Sequence, residues 1–148
     1  MKTSARNQFD GKVTRIAAGA VNDEVEMTTP GGHRIVATIT RESTQSLGLQ
    51  VGAPAFALVK ASSVILATDM GRVRLSTRNQ LAGTVASVTP GAVNAEVIVD
   101  VPAAGGSGPG LQLAAVVTLE SVTHLALAPG ASVTALFKAS NVILGVGK

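Results

Sequence analysis

Gly19-Ala20-Val21-Asn22 returns unchanged as Gly91-Ala92-Val93-Asn94, and Ser4-Ala5-Arg6-Asn7-Gln8 returns as Ser76-Thr77-Arg78-Asn79-Gln80, both at a spacing of 72 positions. Farther along, Thr40-Arg41-Glu42-Ser43 aligns with Thr118-Leu119-Glu120-Ser121, and Lys60-Ala61-Ser62 with Lys138-Ala139-Ser140, now 78 positions apart. The second copy therefore carries six more residues. They fall between Val101 and Gln112, where a Gly- and Pro-rich stretch replaces the shorter Thr29-Pro30-Gly31-Gly32 turn. A fixed internal period marks a duplicated structural unit. The chain of 148 residues is thus expected to form two modules, 1–69 and 73–148, with the boundary near Asp69-Met70-Gly71, although its length alone suits a single domain.

Within one copy the apolar period is mostly two, as in half-buried strands. Phe9, Val13 and Ile16 belong to a first strand region, Val21, Val25 and Met27 to a second, and Ile35, Ala37 and Ile39 to a third. Gly19 and Pro30-Gly31-Gly32 supply turns. Thr40 reads as a helix N-cap, with a short helix over 41–46 that ends at Gly48. Stretches 55–60 and 63–67 complete the copy as two more strands. The expected fold is all-β: two tandem OB-like five-stranded β-barrel modules, each with a short helix. Modules of about 70 residues bury a limited share of their surface, which favours tandem packing or oligomerisation.

Composition narrows the function. Hydrophobic residues make up 46% but aromatic ones 2%, with no Trp or Tyr. Base-stacking platforms for a nucleic acid are therefore missing, and a net charge of +3 spread along the chain is too mild to mark a nucleic-acid surface. The absence of cysteine leaves neither disulfides nor thiolate metal ligands and fits a reducing compartment. Met1 to Asn7 lacks the apolar run of a secretion signal. The longest apolar candidate, 49–67, is broken by Gly52, Pro54 and Lys60, short of the ~18 uninterrupted residues of a membrane span. A cytoplasmic protein with no membrane partner is the expectation.

An enzyme has little to work with here. His33 and His124 have no counterparts in the other copy, and both read as surface or packing residues. Glu42 and Glu120 recur at the second position of a short helix, where the helix dipole accounts for them. No metal-ligand or acid/base spacing is present, so neither catalytic residues nor a metal-cation site is expected. The Gly-Pro stretch lacks the Lys-Ser/Thr ending of a phosphate loop and reads as a longer hairpin loop.

What does recur is a set of hydrogen-bond donors. Each copy offers a hydroxyl and a guanidinium two residues apart (Ser4 and Arg6; Ser76 and Arg78), two hydroxyls at a helix start (Thr40 and Ser43; Thr118 and Ser121), and an ammonium (Lys60; Lys138). Donors converging on a helix start suit a tetrahedral anion. The plainer alternative is that Thr40 and Ser43 cap their helix and that Arg6 and Lys60 are solvated charges.

Ser4-Ala5-Arg6-Asn7-Gln8-Phe9-x-Gly11, Gly-Ala-Val-Asn-x-Glu and Lys-Ala-Ser-x-Val-Ile-Leu resemble, in order and twice over, the signature blocks of the Mop domain of the molbindin family. That resemblance implies a non-enzymatic protein that binds molybdate, with tungstate as an alternative oxyanion, for storage and homeostasis, and that needs no organic cofactor. It implies oxyanion ligands at Ser4, Arg6, Thr40, Ser43, Lys60 and the backbone at Ala61 in the first module. Ser76, Arg78, Thr118, Ser121, Lys138 and Ala139 are the counterparts. Asn22 and Asn94 are weaker candidates for a second kind of site. It also implies pockets shared between modules and a homotrimer. Thr77 in place of Ala5 and the longer 101–112 loop depart from perfect repetition and are expected to make the halves differ. The alternative function is the ligand-sensing part of a molybdate-responsive transcription regulator. No DNA-binding helix-turn-helix precedes the first signature block, which counts against that alternative.

Overall fold

The computed structural model describes residues 1–147. The first repeat forms β1 (Asn7–Ala17), β2 (Asn22–Thr28), β3 (Arg34–Thr40), helix α1 (Arg41–Ser46), β4 (Pro54–Val59) and β5 (Ile65–Ala67). The second forms β6 (Asn79–Pro90), β7 (Asn94–Val101), β8 (Leu111–Thr118), helix α2 (Leu119–His124), β9 (Ser132–Phe137) and β10 (Ile143–Gly145). A single 3-10 turn, Ala61–Ser63 or Ala139–Asn141, precedes each final strand. Strand and helix positions follow the apolar alternation and the Thr caps, so the expected all-β fold with one short helix per module is what forms.

The sheets are not confined to their own repeats. One runs β10-β4-β1-β2-β3 and the other β5-β9-β6-β7-β8, antiparallel at each pairing in both. Each repeat contributes four strands to its own sheet and lends its fifth to the other. Leu66 of β5 pairs with Ala135, and Leu144 of β10 pairs with Ala57. The expectation that 63–67 completes its own repeat is therefore corrected. A three-residue strand carries too little pattern to choose between two equivalent edges, and the connection through 68–78 lets it reach the far one.

One apolar core serves both sheets, with Val13, Val25, Met27 and Ile35 joined to Val85, Val97, Val99 and Leu113. Phe9 of the first repeat stacks on Phe137 of the second, with ring centroids 6.5 Å apart. Their counterparts in the repeat are Leu81 and Val59, which are smaller and equally enclosed.

Two buried amides tie the repeats together. Asn7 Nδ2 donates to Ala114 O at 2.8 Å while Ala114 N donates to Asn7 Oδ1 at 2.7 Å, and Asn79 makes the same pair with Val36 at 2.8 Å in both directions. A side-chain amide thus completes a backbone strand pairing, which satisfies every polar atom of a group that would be costly to bury alone.

The 102–110 loop joins β7 to β8 as a hairpin, but it also lies on the first repeat. Ala104 N donates to Gly31 O at 2.9 Å, and a Cβ on Gly31 would fall 2.0 Å from Pro109 O, so only glycine permits this approach. Buried His33 lies 2.7 Å through Nε2 from Pro102 O and 3.2 Å through Nδ1 from Thr29 Oγ1. A carbonyl oxygen can only accept, so Nε2–H is the donor in that contact. The packing role expected for His33 is the one it has.

Candidate functional site

The recurring hydroxyls cap their helices, as the plainer alternative required. Thr40 Oγ1 accepts from Ser43 N at 3.1 Å and lies 2.7 Å from Ser43 Oγ. In the second repeat Thr118 Oγ1 accepts from Ser121 N at 3.1 Å and donates to Ser121 Oγ at 2.9 Å. Capping does not exhaust them. Once Thr118 has spent its proton on Ser121 Oγ, the hydroxyl proton of Ser121 is left to point outward. With only six residues each, the helices are too short to supply a strong dipole, so side chains must carry any anion binding.

Strand exchange assembles two equivalent grooves of about 400 Å³ around these hydroxyls. The first takes Asn22, Thr38, Thr40 and Ser43 from one repeat and Ser140 and Ile143 from the other. The second takes Asn94, Thr118 and Ser121 with Ser62 and Ile65. Among the described residues, no carboxylate lines either groove. The 3-10 turn of one repeat packs on the third strand of the other, so Ser62, beside Lys60 and Ala61, shares a groove with Thr118 and Ser121, and Ser140, beside Lys138 and Ala139, shares one with Thr40 and Ser43. This regroups the candidates. Within one chain, the turn that follows Lys60 lies at the groove of Thr118 and Ser121 and not at that of Thr40 and Ser43. Lys60 and Lys138 are exposed and, among the described residues, have no ion-pair partner.

The arginines cross over in the same sense. Arg6 makes a two-pronged ion pair with Glu96, in which Nη2 donates to Oε1 at 3.0 Å, and Arg78 Nη1 donates to both oxygens of Glu24 at 2.9 Å. Glu96 is the cross-strand partner of Val116, which lines the second groove, and Glu24 is the partner of Thr38, which lines the first. Cross-strand partners bring their Cβ atoms to about 5 Å. Each guanidinium therefore lies one residue pair from a groove. Ser4 and Ser76, two positions before the arginines, are exposed. Thr77 donates to Phe137 O at 2.8 Å, so this departure from Ala5 pins the second arm to β9.

The roles of Glu24, Glu96, Asn7 and Asn79 escaped the sequence reading, although the residues stand within its repeated blocks. A signal was present, because all four recur with the 72-residue spacing beside the motifs already singled out. Asn22 and Asn94, the weaker candidates, do line the grooves. Asp23 beside them is held below the ordinary carboxylate range, first by the hydrogen bond from Gly19 N, then by Thr44 and the charge of Arg41. His124 is exposed at the end of α2. Among the described residues, no group of three or more His, Asp or Glu side chains could hold a metal ion, and no helix is long and apolar enough to cross a membrane.

Exchanged fifth strands, a common core and paired donor-lined grooves define a tandem small-barrel module. The chain belongs to the TOBE domain family, whose model matches residues 3–66 and 75–144, and the tandem molbindin pattern is the one its sequence carries. Among its relatives are the molybdenum-pterin-binding protein MopA of Rhodobacter capsulatus, 46% identical over 146 residues, and the molybdenum transport protein ModE of Azotobacter vinelandii, 44% identical over the same length. Both alignments cover 99% of this chain but 53% and 52% of those proteins, so the chain spans about half the length of the curated relatives it matches. A probable molybdenum-pterin-binding protein of Haemophilus influenzae is 41% identical over 69 residues, which is all of that protein and 47% of this chain. Among solved structures, the cytoplasmic molybdate-binding protein ModG with molybdate bound superposes with a TM-score of 0.90 at 48% identity, covering 99% of this chain and 100% of that one. These relatives are described as binding and transport proteins rather than as enzymes.

Proposed function

We propose that the chain binds molybdate, or tungstate in its place, and serves molybdenum storage and homeostasis in the cytoplasm. The observation that carries this reading is the pair of grooves whose polar lining is hydroxyl and amide side chains of one repeat and the serine of the Lys-Ala-Ser turn of the other, with no carboxylate among the described lining residues. A fully deprotonated dianion is satisfied by donors alone, whereas phosphate near neutral pH carries a proton that needs an acceptor. In the second groove Ser4, Arg6, Lys60 and Ala61 act with Thr118 and Ser121. In the first, Ser76, Arg78, Lys138 and Ala139 act with Thr40 and Ser43. Asn22 and Asn94 line the same surfaces. Elemental analysis followed by calorimetric titration tests the reading: molybdate and tungstate should bind, and phosphate should compete poorly. Displacement of molybdate by equimolar phosphate at pH 7 would overturn it.

Each groove is wider than a tetrahedral oxyanion and is open on one side. Ile65, Ile143, Val21 and Val93, 61% to 72% exposed, lie on or beside the rims. A second copy of the chain seated there would cover this apolar surface and close the pocket, and a homotrimer places six quasi-equivalent modules around one threefold axis. Light scattering with and without molybdate should report that trimer. A monomer that binds at full stoichiometry would show the grooves to be complete within one chain.

A second reading, the ligand-sensing part of a transcription regulator, is favoured by one observation: the alignment to the transcriptional regulator ModE of Yersinia pestis, 35% identical, covers 97% of this chain and 52% of that protein. Molybdate-dependent retardation of operator DNA by the natural gene product would support it. Molybdate binding without any DNA shift supports storage.

A further inference from the structure

Two arginines one residue pair from the grooves already hold anions. Arg6 is spanned by Glu96 and Arg78 by Glu24, each pair joining opposite repeats. Each carboxylate stands on the outer sheet face beside a groove-lining residue, Val116 or Thr38. Both arginines are about half exposed at the side chain, 54% and 43%, while Glu96 and Glu24 are more covered at 28% and 29%. The cation is thus the mobile partner of each pair and the carboxylate the fixed one. Moreover, the arms that carry the arginines do not depend on these ion pairs for their position. The neighbouring Asn7 and Asn79 are buried and doubly hydrogen-bonded to the backbone of β8 and β3. An arginine can therefore exchange one anion for another while its backbone stays in place.

We propose that Glu24 and Glu96 are built-in competitors for the oxyanion: each carboxylate occupies the guanidinium that a bound dianion would take, so uptake is an exchange of anions at arginine. This rests on the oxyanion reading above and adds to it the residues that set the affinity. A dianion arriving beside Arg6 meets a cation whose charge is already matched and a carboxylate that repels it. Binding goes forward only when the groove donors, the lysine and the freed guanidinium together outweigh the lost ion pair. Because the same pair must open for any dianion, and the repulsion is the same for anions of equal charge, the carboxylates scale the affinities of dianions by one factor. They set the concentration at which the grooves fill and leave the ranking of anions to the donors.

The test compares Glu96→Gln and Glu24→Gln with wild type and with Glu120→Gln, each titrated calorimetrically with molybdate and with sulfate. Glu120 adjoins Ser121, so its substitution removes a nearby charge without touching an arginine. Charged hydrogen bonds at part-exposed positions are worth about one decade or less in affinity, so each arginine-holding variant should bind about five- to tenfold more tightly at one class of groove. The factor should be the same for molybdate and sulfate, and Glu120→Gln should change affinity by less than about twofold. Adding Arg6→Ala to Glu96→Gln should abolish the gain. Thermal melts confirm that the isosteric amides leave the fold intact, and Glu96→Asp, too short to span the guanidinium, provides a second variant that should also tighten binding. If the wild type binds molybdate and Glu96→Gln binds no more tightly than Glu120→Gln, the exchange is overturned alone. If the wild type binds neither molybdate nor tungstate, the oxyanion reading falls and the exchange with it.

Discussion

The turn before β2 is closed by the Asp23 carboxylate accepting from Gly19 N at 3.0 Å, whereas the matching turn before β7, with Ala95 in place of Asp23, is closed by Gly91 N donating to Asn94 O at 2.7 Å. The same contrast recurs elsewhere. Helix α1 is followed by Gly48 at φ 61° and helix α2 by Ala126 at φ 50°, in the same left-handed conformation. Phe9 and Phe137 fill one part of the core where Leu81 and Val59 fill its counterpart. These differences are local ways of closing a turn or filling a space. The features that do not differ between the repeats are of another kind: the asparagine clamps, the arginine–glutamate pairs, the Thr-Ser caps and the Lys-Ala-Ser turns. Apart from the caps, which form one wall of each groove, these shared features face across the repeat boundary. Sequence freedom lies within a repeat and constraint lies between repeats.

Breaking the one-sided aromatic contact should have the largest effect. Phe137→Ala is expected to cost about 3–5 kcal/mol and Val59→Ala at the matching position less, because the cavity left is smaller; urea unfolding of both variants measures the difference. Next come the clamps. Asn79→Ala and Asn7→Ala each strand a buried N–H and C=O, and should each cost about 2–4 kcal/mol. Equal losses would mark the clamps as equivalent, and a loss below about 1 kcal/mol in either would mean that water replaces the amide.

The regrouping of donors is open to a double-mutant cycle on oxyanion affinity. Lys60→Ala should weaken binding by about tenfold and should couple to Ser121→Ala, with no coupling to Ser43→Ala. Coupling within one repeat instead would restore the order that the sequence suggests. A smaller and opposite pair of effects is expected at the helix ends. Ala126→Gly should stabilise by about 0.5–1 kcal/mol by relieving the left-handed residue, and Gly48→Ala should destabilise by a similar amount.

The smallest effect concerns acid. The carboxyl of Asp23 is depressed in the folded chain, so its stabilisation is present above the unfolded carboxylate range near about 3.9 and is lost as pH falls through the lower folded value. Asp23→Ala, which copies Ala95, should therefore lower stability at pH 7 and converge with wild type in strong acid. A difference that persists unchanged at pH 2 would assign its effect to packing.

Much of the fold was legible because its signals are local. Alternation at Ile35, Ala37 and Ile39, the cap at Thr40 and the turn at Pro30-Gly31-Gly32 each decide a few residues from a few residues. The exchange of Ile65-Leu66-Ala67 was not, because its alternation satisfies either sheet edge equally and only the packed pair of repeats distinguishes them. The site followed the same division. Donor types at Thr40, Ser43, Lys60 and Arg6 could be read from the repeat, but their partition between grooves depends on the exchange. The role of Glu96 depends on Arg6, ninety positions away. Asn7 could have been suspected, since it stands two residues before buried Phe9 on the same face of β1, a place where a polar side chain needs a partner.

Reciprocal exchange of the fifth strands also changes how the pairing of the repeats responds to abundance. Two separate one-repeat chains lending strands to each other would associate by collision, and their complex would thin out as the protein became scarce. Here residues 68–78 tether the halves, and a tether of that length holds its ends at a local concentration on the order of millimolar. That local concentration is set by the chain itself. The junction that forms both grooves should consequently persist in a cell holding only a few copies, and only the association of whole chains would rise and fall with expression.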